Sequence, residues 1–377
     1  MIKQIYIQNF KCLDEVSLPL SNITILAGLN GMGKSTFMQS LLVLHQSAIE
    51  AQQPLSNLVS QGKWTDIGKD TDILWEGAES EVITFNLTTD FGSMHTDGFR
   101  FKLNKKTGEF VAEEDYSKSI RSTYGIFTDQ FHYLRAERWG PRTSLPTSNA
   151  DVRVHRQFGR DGEYTANFLS EYGLDTVENK ALHHPDARST QLLHQTEAWL
   201  GEISPGARLY AVPHEEIDLV RLQFGFATAK TGETNRYRAT NVGFGISYIL
   251  PIIVAALSAE PGTMLLIENP EAHLHPQGQR KIAELLAKTA TNGVQIIVET
   301  HSDHFLNGLR LSIHSGAVPP EDVQLHYFER EQTESAIRAK VSSPKIDRNG
   351  RIDVWPDGFF DENEKALREL LRPAPQS

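Results

Sequence analysis

The chain has 377 residues, 39% hydrophobic and 23% charged, enough to bury a sizeable core in one large domain or two lobes. Its 37 Lys and Arg against 48 Asp and Glu leave a formal net charge of −11, which argues against broad, sequence-independent nucleic-acid binding. Cys12 is the single cysteine, so an intrachain disulfide and a thiolate cluster are excluded. The opening MIKQIYIQNFK alternates like a strand, and no run of about 18 apolar residues occurs, so a cytoplasmic chain without a membrane span is expected.

In chain order, Ile2–Gln8, roughly Val16–Pro19 and Ile23–Ala27 read as strands. The third leads into Gly28-Leu29-Asn30-Gly31-Met32-Gly33-Lys34-Ser35, which fits the phosphate-binding spacing G-x-x-x-x-G-K-[ST]. A helix is predicted over residues 35–50 from the apolar period of Phe37, Leu41, Leu42 and Leu44. Gly31 and Gly33 let consecutive backbone N–H groups turn inward, and the helix N-terminus adds partial positive charge. Asn30 and Thr36 are taken as further contacts of the same cradle. Lys34 would reach the outer phosphates, and the Ser35 hydroxyl would complete the shell of a magnesium ion. Strand, loop and helix together imply a nucleoside-triphosphate site.

After that helix, strand-like segments at Glu81–Leu87 and Gly98–Leu103, separated by Asp-Gly and Lys-Lys-Thr-Gly turns, suggest an antiparallel β-subdomain over 55–130. A strand at Phe131–Leu134 runs into Arg135-Ala136-Glu137-Arg138. Helical segments at Ala166–Tyr172 and Ser189–Leu200 mark an inserted lobe over 150–205, and Ile217–Phe226 suggests more strand. From Asn241 onward apolar density rises: a buried helix Ile246–Leu257, a strand Met264–Ile267, an amphipathic helix Pro276–Thr289 closed by Gly293, and a strand Val294–Glu299. Strand, helix, strand in this order predicts an α/β fold with a mostly parallel core sheet. Residues 311–377 are mixed and end in a polar tail, and no sustained heptad predicts a coiled-coil arm.

A phosphate loop needs an acid at the tip of a second parallel strand, and Thr263–Glu268 ends in one. Glu268 would coordinate magnesium directly or through water. Glu268-Asn269-Pro270-Glu271-Ala272-His273-Leu274-His275-Pro276 resembles the Walker B and D-loop segment of ABC-type ATPases, in the form carried by their OLD-like and SMC-like branches. Ile296-Ile297-Val298-Glu299-Thr300-His301-Ser302 resembles the strand and switch histidine of the same families. Asn241-Val242-Gly243-Phe244-Gly245-Ile246-Ser247-Tyr248 stands where those families carry the ABC signature but departs from its Leu-Ser-Gly-Gly form; a glycine-rich helix cap is the alternative. Leu134–Arg138 with Gly140-Pro141-Arg142 resembles a strand-end motif of OLD-like ATPases. Trp355-Pro356-Asp357-Gly358-Phe359-Phe360-Asp361 resembles the C-terminal mark of small prokaryotic AAA-type ATPases with an uncharacterised tail domain.

The resemblance implies a P-loop NTPase of the ABC-ATPase head type, with residues 1–377 as one domain. Residues 241–310 would carry the signature, Walker B and switch histidine, and 311–377 a C-terminal subdomain and tail. ATP and Mg2+ would bind between two heads of a homodimer or higher oligomer, the loop and Glu268 of one facing Gly243, Gly245 and Ser247 of the other. By the same resemblance His301 would contact the γ-phosphate or the attacking water. Lys11 would lie near the nucleotide, with a solvated surface lysine as the alternative. The implied partner is a separately encoded effector, commonly a nuclease in phage defence; contact with nucleic acid stays open.

One departure matters. The glutamate that follows the metal-binding acid in the ABC pattern is Asn269 here, and an amide accepts no proton at neutral pH. Either Glu271 or a residue of a partner subunit serves as base, or hydrolysis is slow, with Glu271 or His301 helping. A non-hydrolysing nucleotide-gated scaffold and a DNA-repair head are the competing readings. His273 and His275 are read as interface loop residues rather than metal ligands. Asp347, Asp353, Asp357 and Asp361 form no metal-dyad pattern, so nuclease activity in this chain is not expected.

Overall fold

The described residues form three sheets. The computed structural model describes all residues except 51–54, 91–93, 117–124, 231, 333–335, 357, 361 and 373–377; Asp357 and Asp361 therefore lie outside the described residues. In chain order the elements begin with β1 (Ile2–Phe10), β2 (Leu13–Pro19), β3 (Ile23–Gly28) and α1 (Lys34–Glu50). Next come β4 (Val82–Thr89), β5 (His95–Leu103), β6 (Phe110–Ala112), β7 (Phe131–Leu134) and β8 (Leu145–Pro146). The middle of the chain supplies α2 (Thr165–Tyr172), α3 (Leu192–Gly201), β9 (Ala207–His214), β10 (Leu219–Thr228), β11 (Gly232–Glu233) and β12 (Tyr237–Arg238). The last part holds α4 (Phe244–Ser258), β13 (Met264–Glu268), α5 (Pro276–Ala290), β14 (Gln295–Glu299), α6 (Asp303–His314), β15 (Val323–Gln332), β16 (Ile337–Ser342) and α7 (Glu362–Leu370).

The core sheet runs β16-β15-β3-β14-β13-β7, parallel throughout except for β16, which returns antiparallel to β15. Its central strands are buried on both faces, which is why β3, β13 and β14 read as near-continuous apolar runs. Their side chains still alternate between two cores. Ile23, Ile25, Leu265, Ile267, Ile296 and Val298 face α4, α5 and α6, while Leu26, Leu266 and Ile297 face α1 and the antiparallel sheet. The antiparallel sheet, β2-β1-β4-β5-β6, takes its first two strands from the N-terminus and the rest from the 55–130 region. The smaller third sheet centres on β10, which pairs with β9 over eight residue pairs.

Helix boundaries follow local chemistry. Residues 246–257 of α4 are all buried, so it carries no polar stripe. Helix α5 has Pro276 in its first turn and His275 as N-cap, and α6 is capped by Ser302, whose hydroxyl accepts from Phe305 N. Residues 311–377, mixed in the sequence, send β15 into the core sheet beside β3 and lay β16 along its edge. Among the described residues no helix is long and apolar enough to cross a membrane.

Candidate functional site

The C-terminal ends of β3, β14, β13 and β7 lie side by side, the place where open parallel sheets bind ligands. Gly28 ends β3 at φ +134, and a Cβ there would stand 2.3 Å from the carbonyl oxygen of Phe328 on β15. Gly33 has φ +111, a conformation that side chains rarely adopt, so the loop can close tightly before α1 begins. Lys34 is buried, and its Nζ donates to the carbonyls of Gly28 and Leu29 at 2.9 Å each. Burial lowers its pKa, and the nearby Glu299 carboxylate partly opposes that shift.

Three carboxylates gather beyond the loop. Glu299, at the tip of β14, accepts from the Ser35 hydroxyl with both oxygens, at 3.2 and 3.1 Å, and lies 3.7 Å from Lys34 Nζ. Burial pushes its carboxyl up to about 7; Lys34 opposes that rise, and the charges of Glu268 and Glu271 add to it. Glu268 pairs in register with Glu299 but stands one strand further from the loop. Its Oε1 accepts from Tyr133 hydroxyl at 2.9 Å and its Oε2 from Ala136 N at 3.0 Å. The acid in contact with Ser35 is thus Glu299, which the sequence marks only as the end of a strand.

Glu271 is engaged on both oxygens, by Thr300 Oγ1 and by His301 N, each at 2.8 Å. In this arrangement it holds the backbone at His301, and burial raises its pKa. Asn269 sits at φ +44, and its carbonyl accepts from Arg138 Nη2 at 2.9 Å. Buried Arg138 also donates to the carbonyls of Glu268 at 2.6 Å, Arg135 at 2.7 Å and Tyr248 at 3.2 Å. Its guanidinium lies 4.7 Å from the Tyr248 ring centre, and the Tyr248 hydroxyl bonds to the Ala136 carbonyl. The Leu134–Arg138 motif by itself does not give Arg138 this role. Its signal was an Arg two positions after a strand-end Arg-Ala pair, which specifies no partner.

His301 lines a cavity of about 290 Å³ together with Gly28, Leu29, Tyr327 and Phe359. Burial, and next the Lys34 charge, lower the pKa of its ring. Gly243 and Gly245 line a different cavity, of about 690 Å³, with His273 and His275. The phosphate loop and the Gly243–Gly245 segment of one chain therefore open onto separate spaces. Ser247 is buried, with its hydroxyl unpaired, and faces inward rather than into that second cavity. Lys11 lies against α1 and donates to Gln39 Oε1 at 2.8 Å, while Thr36 Oγ1 lies 3.5 Å from Cys12 Sγ. Asn30 and Gly31 belong to the loop, and Gly31 O lies 3.5 Å from Arg330 Nη2 of β15.

The donor set suits magnesium: a hydroxyl and a carboxylate beside an anion cradle, all hard oxygen ligands. Among the described residues no group of three His, Cys, Asp or Glu side chains is placed to hold a metal ion. A phosphate-bound Mg2+ needs fewer, since phosphate oxygens and water fill the remaining positions.

Known proteins place this geometry in a family. The family model described as "AAA domain, putative AbiEii toxin, Type IV TA system" matches residues 23–307, well over half the chain, and "Protein of unknown function (DUF3696)" matches 318–370. The chain is 23% identical to an OLD nuclease of Thermus scotoductus, over 94% of this chain and 69% of that protein. Among solved structures it is similar to an SMC head bound to the C-winged helix domain of ScpA, at 11% identity, covering 91% of this chain and 98% of the other, with TM-score 0.47. The SMC head domain from Thermotoga maritima is similar at 12% identity, 90% and 98% coverage and TM-score 0.47. With the phosphate loop, the acid-tipped strand and His301 all inside the matched span, the chain belongs to this AAA-domain family of P-loop ATPases.

Proposed function

We propose that the chain binds ATP with Mg2+, hydrolyses it slowly and dimerises around it, coupling nucleotide state to a partner effector. The observation that carries this reading is the meeting of Lys34, Ser35, Glu299 and Glu268 at the ends of adjacent parallel strands. The loop amides and Lys34 would hold the phosphates, and Ser35 with the acids would hold the metal. Magnesium would draw charge from the β- and γ-phosphates as the bond to the γ-phosphorus breaks. His301, on the rim of the adjacent cavity, would face the terminal phosphate or the attacking water. The Gly243–Gly245 segment opens onto its own space, which supports a site completed by a second chain. A role beside a nuclease in phage defence rests on the resemblance of the sequence motifs; the Thermus relative is itself named a nuclease.

Slow hydrolysis follows from Asn269 together with the engagement of Glu271. With both Glu271 oxygens bonded to the switch segment, no unengaged carboxylate follows Glu268 to take the water's proton. Asn269→Glu is expected to raise steady-state ATP turnover by about tenfold or more, since a general base contributes roughly 10²–10⁴ in rate. Unchanged turnover in that variant, with wild-type nucleotide affinity, would assign the missing base elsewhere. A second reading, a nucleotide-gated scaffold without turnover, is favoured by the same asparagine. Tight ATP binding and ATP-dependent dimer formation with no phosphate release would select it.

A further inference from the structure

We propose that Glu299 positions the magnesium ion at Ser35, the role that the sequence assigns to Glu268 as the acid at the tip of a second parallel strand. The inference rests on the reading of the loop as a Mg-nucleotide site and deepens it by naming the acid.

Strand order is the first argument. β14 lies between β3 and β13, so the tip of β14, not that of β13, is the neighbour of the phosphate loop. Glu299 pairs with Leu26 on one side and Glu268 on the other, which sets its carboxylate between the loop and the second acid. Distance is the second. An octahedral magnesium with oxygens at about 2.1 Å places neighbouring ligands roughly 3.0 Å apart. Ser35 Oγ and the two Glu299 oxygens are 3.1 and 3.2 Å apart, close to that spacing without rearrangement.

The surroundings of the two acids are the third argument. Glu268 is tied toward β7 by Tyr133 and the Ala136 amide, partners that orient it away from α1. Glu299 has Ser35 and, at 3.7 Å, Lys34. Once phosphates draw the Lys34 ammonium toward themselves, the Glu299 charge needs another cation in a buried setting, and a divalent ion beside Ser35 supplies it. Glu268 then acts from one layer further out, fixing the end of β13 and the turn into Asn269.

The test is the Mg2+ dependence of nucleotide binding, which a purely structural role would not move. Binding of a fluorescent ATP analogue is measured across a Mg2+ titration, with an EDTA arm, for wild type, Glu299→Gln, Glu299→Asp, Glu268→Gln and Lys34→Ala. Glu299→Gln is expected to raise the half-saturating Mg2+ concentration by about tenfold or more. Glu299→Asp should fall between it and wild type, and carries the comparison if the glutamine variant does not fold. Glu268→Gln should shift the Mg2+ requirement less than Glu299→Gln does. The proposal is overturned if Glu299→Gln takes up Mg-nucleotide as wild type does, or if Glu268→Gln gives the larger shift. Nucleotide binding that is absent in wild type, or indifferent to Lys34→Ala, overturns the loop reading itself and the proposal with it.

Discussion

Arg138 shows how much one buried cation can organise. Its guanidinium reaches four backbone carbonyls, joining the end of β7, the turn after β13 and the first turns of α4. Those are the segments that carry Glu268, Asn269 and the Gly243–Ser247 stretch. Burial lowers its pKa to about 10, with Tyr248 and the acids Glu271 and Glu268 holding it up, so it stays charged at neutral pH. Removing it strands several carbonyls away from water, and Arg138→Ala is expected to cost roughly 3 kcal/mol or more of stability. Arg138→Lys should recover only part of the loss, because an ammonium lacks the planar fork that bonds several carbonyls at once. Urea melts of the three proteins check this; a lysine variant as stable as wild type would contradict the fork argument. At this scale the sequence was partly legible. Lys34, Ser35 and Glu268 announce themselves by spacing, but Glu299 ends a buried strand, and nothing local reveals that β14 slots in beside the loop.

Elements were legible where their period was clean and local. Strand β7 and the core of α1, β3, β13, α5 and β14 follow apolar runs or periods within a residue or two of where the sequence places them. Strand β9 was missed because its residues are mostly half-buried in a small sheet, so no alternation stands out. Strands β15 and β16 were missed for another reason: VQLHYFEREQ mixes a buried stretch with an exposed charged end, and its partner β3 lies some 300 residues away. The tail motif docks on this region. Phe359 is fully buried, its ring 5.3 Å from Tyr327 and 5.5 Å from Trp355, which stacks near Arg310. Phe359→Ala is expected to cost about 3–5 kcal/mol and to open the tail to proteolysis before the core unfolds. Limited digestion read by mass spectrometry checks it, and cleavage at the wild-type rate would contradict the docking.

On the scale of the whole molecule, two cores share the core sheet, and histidines held neutral make the fold acid-sensitive. Burial lowers His45, His132 and His326 from 6.5 to about 4, so each is neutral in the folded chain at pH 7. His326 is enclosed, with its ring nitrogens 2.8 Å from Ser343 Oγ and from the Pro19 carbonyl. A histidine with a depressed folded pKa contributes stability that is present above about pH 6.5 and lost as pH falls toward 4. The contribution fades by about 1.4 kcal/mol per pH unit per group. The melting-temperature gap between wild type and His326→Gln should therefore be widest at neutral pH and narrow on acidification. A gap that stays constant from pH 7 to 4.5 would contradict the assignment.

Calorimetric titration with Mg-ATP tests most directly the proposal that the loop at Lys34 and Ser35 holds a magnesium-bound triphosphate. Wild type is expected to bind saturably at one nucleotide per chain, and Lys34→Ala to lose that binding while melting as a folded protein. Absence of heat in the wild type, or an isotherm unchanged by Lys34→Ala, would contradict the claim.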